Sequence, residues 1–171
     1  MPNKRGRTDT ESTDEAVRAL LDRYQCPVPF HVVRTRFLGA IVSPVAGVSP
    51  IAMVKGLWGG EFPAVDRLDA INELIEVLVM GLWNRLTRHQ NRSEPFRLMR
   101  ITVPLTTEGL ATLALMRQEE IDGFVDGLFG PEERIDLPER GYHALGELGE
   151  MRAMLAGVCE LLGKPGQDSG D

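Results

Sequence analysis

Apolar residues recur along this chain at steps of three and four, the spacing that gathers them on one face of an α-helix. In STDEAVRALLDRY, Ser12 or Thr13 is placed to cap a helix whose stripe is Val17, Leu20, Leu21 and Tyr24. Cys26-Pro27-Val28-Pro29 must break it, because proline lacks a donor and pushes the preceding residue out of helical geometry. A second helix is predicted from Phe30 to Ser43, with Val33, Phe37, Leu38 and Ile41 on one stripe and His31, Arg34 and Arg36 facing elsewhere. Pro44 ends it. Ser49-Pro50 restarts the chain as an N-cap followed by proline at the first helical position, and Gly59-Gly60 stops the short helix that carries Met53, Val54 and Leu57.

The longest pattern runs from Asp66 to about His89, through Leu68, Ile71, Leu74, Ile75, Leu78, Val79, Leu82, Trp83 and Leu86. Leu78 and Val79 lie mid-stripe and are expected to be fully buried. Asp66 or Asp69 suits the positive N-terminal end of this helix, and Arg85, Arg88 and His89 its negative C-terminal end. Periodicity is lost from Gln90 to Leu105, which predicts a crossing loop with Arg100 to Val103 extended. Thr106 or Thr107 then caps a helix through Leu110, Leu113, Met116, Ile121, Phe124 and Leu128. After GPEERIDLPER a last helix starts near Pro138, with Tyr142, Leu145, Leu148, Met151, Leu155, Val158 and Leu161 on its stripe. Gly163, Lys164 and Pro165 end it. The chain is therefore expected to be all-α, one domain of about six helices over residues 13–164, with disordered tails at 1–12 and 165–171.

FLGAIVSP (residues 37–44) aligns with FVDGLFGP (residues 124–131), each at the end of a predicted helix. Ala40 and Gly127, three residues after each Phe, leave room for another helix to approach closely, and the prolines prevent continuation. Two similarly built halves, packed through these helices, are expected. No strand precedes the glycines of residues 36–61 and no Gly-Lys-Ser/Thr follows them, so they do not form a phosphate cradle.

Phe37 to Pro50, then Leu57-Trp58-Gly59-Gly60, then Gly81-Leu82-Trp83-Asn84, together resemble the YecA/YgfB family of bacterial proteins. Gly123-Phe124-Val125-Asp126-Gly127 is similar to that family's second Gly-Phe-Leu-x-Gly motif. Arg36 and Ile121 depart from the pattern, standing where Gly and Trp are usual, and the final KPGQDSGD differs from the Cys/His metal-binding extension of some relatives. The resemblance covers about residues 15–162. It implies an all-α, often self-associating protein, and brings no catalytic residues with it.

Composition changes this picture little: 43% of the 171 residues are apolar and 26% charged, as in ordinary globular domains. No apolar run reaches the roughly 20 residues that span a bilayer, and the N-terminus lacks a secretory h-region, so a cytoplasmic location is expected. Charge is uneven. Residues 1–105 hold 14 Lys/Arg against 11 Asp/Glu, whereas residues 106–171 hold 5 against 14. Cys159 reads as a small core residue and Cys26 as the more accessible of two inert thiols. His31, His89 and His143 are far apart and read as surface or cap residues, so no metal and no cofactor is expected. Glu119, Glu120, Asp122 and Asp126 form the densest carboxylate group, read as a solvated acidic face.

These features favour a non-catalytic protein-interaction module over an enzyme. Loop residues Trp58, Phe62, Phe96 and Met99 are its candidate apolar anchors, and they are expected to hold a homodimer that is insensitive to salt. One alternative is nucleic-acid binding through the Arg-rich segment 85–100, with Arg88, Arg92 and Arg97 beside Phe96. The other is metal-dependent or catalytic chemistry at the acidic cluster.

Overall fold

The computed structural model describes residues 4–64 and 68–163, with side chains from Thr13 onward, and shows an all-helical protein. Six helical segments follow in order: α1 (Lys4–Arg23), α2 (Phe30–Val42), α3 (Pro50–Gly56), a composite α4 spanning residues 68–90, α5 (Thr107–Phe129) and α6 (Glu139–Gly163). The expected start of α1 at Ser12 or Thr13 is corrected: the helix begins at Lys4. Asp66 and the tail segments 1–3 and 165–171 lie outside the described residues. Among the described residues no helix is long and apolar enough to cross a membrane.

The capping chemistry follows the sequence. Ser49 Oγ accepts from the Ala52 N–H at 3.4 Å with Pro50 opening α3, and Thr106 Oγ1 accepts from the Gly109 N–H at 3.1 Å. Gly59 and Gly60 carry φ of 86° and 108°, a left-handed geometry that side-chain-bearing residues avoid.

The core is built by α1 to α4: Val17, Leu20, Leu21, Val33, Phe37, Val54, Leu57, Leu74, Leu78, Leu82 and Leu86 are almost wholly buried, and Trp83 meets Phe37 edge-on at 5.4 Å between ring centroids. α5 packs on the opposite side of α2, and α6 packs chiefly on α5. α2 is thus covered on two sides. This corrects the single-stripe expectation, since His31 is buried together with Thr35, Gly39 and Ala40.

Within α4 the residues Ile75–Trp83 are wound as a π-helix between α-helical Leu68–Leu74 and Asn84–Leu86, with a 3₁₀ turn at Thr87–Gln90. The Asn84 N–H reaches back five residues to the Val79 carbonyl. The buried stripe explains the winding. Leu74, Leu78, Leu82 and Leu86 recur every four residues, and in an α-helix each such step would drift by about 40°. Winding with more residues per turn opposes that drift. It also corrects one expectation: Leu78 is fully buried, but Val79 is turned to the flank and only half-buried.

α2 and α5 make the closest helix contact. A side chain on Gly127 would collide with the Arg36 carbonyl and stand 3.0 Å from the Ala40 nitrogen. One on Gly39 would meet the backbone of Phe124 and Leu128. One on Gly123 would stand 2.8 Å from Thr35 Oγ1. Ala40 and Gly127, matched in the sequence alignment, therefore lie side by side, and the two helices run in the same sense. At their shared end Ser43 Oγ donates to the Leu128 carbonyl at 2.6 Å.

Two outcomes are expected in urea unfolding. Leu78→Ala should cost on the order of 2–5 kcal/mol, and Val79→Ala clearly less, because only the first opens a closed cavity. Gly127→Ala should destabilise by at least about 1–3 kcal/mol despite the better helix propensity of alanine, because backbone must move to admit the methyl group.

Candidate functional site

The loop of residues 91–106 has no regular structure, and arginines from three helices hold it in place. Arg34 on α2 donates to the Arg97 carbonyl at 3.3 Å and lies over the Phe96 ring. Arg117 on α5 donates to the Met99 carbonyl at 2.7 Å and pairs with Glu120 at 2.6 Å. Arg18 on α1 reaches the Met99 sulfur at 3.3 Å. A loop lying on a helical surface leaves its carbonyls short of partners, and guanidinium groups supply several donors in a fixed fork. Burial lowers the pKa of Arg34, against the opposing pull of Asp14.

So pinned, the loop alternates in burial: Met99, Ile101 and Val103 face inward, while Leu98, Arg100 and Thr102 face out. That two-residue period is the pattern of an extended chain, as expected for Arg100 to Val103.

The anchors proposed from sequence are mostly committed to the fold. Trp58 Nε1 donates to the Tyr24 carbonyl at 2.9 Å, Phe62 sits under Lys55, and Phe96 lies between Arg34 and His89. With Met99, all four are half-buried against the core. Arg85 pairs with Asp14. Arg88, Arg92, Arg97 and Arg100 are exposed, and their guanidinium groups have no partner among the described residues.

The acidic cluster is corrected too. Its four carboxylates have four separate partners: Glu119 meets the His31 imidazole at 2.7 Å, Glu120 pairs with Arg117, Asp122 with Arg152 and Asp126 with Arg36 at 3.1 Å. They tie α5 to α2, to α6 and, through Arg117, to the loop. Glu120 is buried rather than solvated. His31, read as a surface group, is buried in one of these pairs. His89 bonds the Glu94 carbonyl at 2.8 Å, and His143 lies on the exposed side of α6 near Glu147. Among the described residues no three His, Cys, Asp or Glu side chains converge as a metal site. Cys26 and Cys159 are both half-buried, and burial pushes the Cys26 thiol up, away from the reactive thiolate.

What remains open is apolar. α6 has 25 residues and buries none of those whose side chains are described. Tyr142 and Met151 are about half exposed, Met154 is 62% exposed and Leu161 77%. Between α6, α5 and the loop runs a trough in two parts. One, of about 430 Å³, is walled by Leu98, Ile121, Phe124, Leu148, Met151 and Met154. The other, of about 680 Å³, is walled by Arg100, Thr102, Leu110, Leu113, Val158 and Leu162. Leu98, Arg117 and Leu155 line both. The stripe of α6 was legible in the sequence; that the described residues cover only part of it was not. Comparison of the chain with protein-family models, curated proteins and solved structures finds no match.

Removing the Arg34 pin should free the loop. In Arg34→Ala, amide exchange at Phe96–Ile101 should accelerate while exchange in α4 is unchanged, as read by hydrogen–deuterium exchange. Equal protection in both proteins would mean that the loop is held by packing alone.

Proposed function

We propose that this chain is a non-catalytic protein-interaction module of the YecA/YgfB kind, working in the bacterial cytoplasm and self-associating as a dimer. The observation that carries this reading is α6, a long helix packed on one side only, with Tyr142, Met151, Met154 and Leu161 exposed along it. Leu105, 96% exposed, and Leu110, 46% exposed, extend the apolar surface onto the neighbouring loop and α5. Met151, Met154 and Leu161 fall on one face of α6, and exposed apolar area gathered in this way marks association surfaces in globular proteins. The anchors thus move from Trp58, Phe62, Phe96 and Met99 to the α5–α6 hairpin.

A nucleic-acid-binding alternative is supported by the exposed, unpaired Arg88, Arg92, Arg97 and Arg100. Its aromatic partner is weakened: Arg34 already lies over the Phe96 ring, and His89 meets that ring in an edge-type contact. The metal or catalytic alternative has less support, since each carboxylate of the acidic cluster already has a side-chain partner.

Sedimentation velocity should show a dimer at both about 50 mM and about 500 mM salt, because buried apolar contact is not screened. The double variant Met154→Ser with Leu161→Ser should weaken association at least about tenfold, a loss of some 1.4 kcal/mol. A monomeric parent at both salt concentrations would overturn the dimer.

A further inference from the structure

The two-part trough is lined mainly by apolar side chains, and the polar groups of its floor are already satisfied. Thr35 Oγ1 donates to carbonyls of its own helix at 3.2–3.3 Å, and Glu120 and Arg117 are bonded to each other. The floor therefore offers an occupant few hydrogen bonds against a mainly apolar lining, which favours an apolar body. The mouth differs. Arg100 and Thr102, both on the exposed side of the pinned loop, line the wider part, and neither side chain has a partner among the described residues. Among the described residues no carboxylate lines that part.

From these two facts we propose that the trough binds an anionic amphiphile of the fatty-acid class. The alkyl chain lies against Leu98, Leu155, Phe124 and Met151, and the carboxylate meets the Arg100 guanidinium, with the Thr102 hydroxyl as a second donor. The size agrees. Both parts fall in the range of small-molecule sites, about 300–1,000 Å³. Along α6 the lining runs from Leu148 to Leu162, about 21 Å at 1.5 Å per residue, which suits a long, thin ligand. Methionines suit it as well, because their unbranched side chains adapt to a flexible chain. Charge decides the head group: the lining residues carry two arginines against one glutamate, and that glutamate is committed to Arg117.

The test is calorimetric titration of the full chain with dodecanoate below its micellar concentration. One saturable site per chain is expected, with binding at least about tenfold weaker for dodecyltrimethylammonium, which keeps the alkyl chain and reverses the head-group charge. Arg100→Glu, a change at an exposed loop position, should weaken dodecanoate by a similar factor and leave dodecanol unaffected. Silence toward dodecanoate, equal affinity for the two head groups, or unchanged affinity in Arg100→Glu would overturn the proposal. Uptake by phosphatidylglycerol vesicles without binding of free dodecanoate would also overturn it, making the surface a membrane contact instead. Sedimentation in the same buffer reads association separately, so failure of the ligand site is distinguishable from failure of the dimer.

Discussion

Two helices can lie as close as α2 and α5 do only where one of them lacks a side chain at each crossing point. Gly39, Gly123 and Gly127 meet that condition, and each faces backbone or Cβ-proximal atoms of the other helix. Each glycine in a helix interior sacrifices roughly 1 kcal/mol relative to alanine, about 3 kcal/mol for the three. Close packing must return more than this through the many small dispersion contacts that near approach permits. The rest of the C-terminal half depends on the result: α5 seats on α2, α6 seats on α5, and the side-chain pairs Glu119–His31 and Asp126–Arg36 fall into place at the flanks. These partly exposed pairs add little energy. Their value lies in fixing the register of a contact whose small residues would otherwise tolerate sliding.

Much of this was legible in the sequence because it is local. Stripes at helical spacing gave the elements, Ser49-Pro50 and Thr106 gave two starts, and the aligned motifs gave the neighbouring positions of Ala40 and Gly127. Val79 was misjudged because its burial depends on π winding, which answers to a buried set recurring every four residues rather than to any single propensity. His31 and Glu120 were misjudged for a different reason. The partner of His31 lies on another helix, and no spacing rule reaches 88 residues from Glu119 to His31; Glu120 pairs within its own helix, but its burial is set by tertiary packing.

The candidate site was less legible than the fold. Aromatic and sulfur-bearing loop residues look like free anchors on paper. Here Phe96 and Met99 are held by arginines 62 or more positions away in the chain. Arg34 and Arg117 create what is left over. By binding the carbonyls of residues 97 and 99 they stretch the loop across α5. The alternation of an extended chain then turns Leu98, Arg100 and Thr102 outward. A trough beside α6 is a by-product of satisfying buried backbone groups.

The π-wound stretch of α4 gives this helix an unusual response to changes in chain length. An insertion or deletion inside an α-helix rotates all that follows by about 100° relative to all that precedes, and a packed helix normally rejects it. Residues 75–83 already hold more chain per turn than an α-helix does. Loss of one residue there could be absorbed by tightening the winding, leaving Trp83 against Phe37 and Arg85 beside Asp14. The same deletion in α5, where glycines must meet α2 at fixed crossing points, has no such slack to draw on. Length variation among descendants of this sequence would therefore be tolerated in the leucine-lined helix of the core before it was tolerated in the glycine-bearing helix that packs on α2.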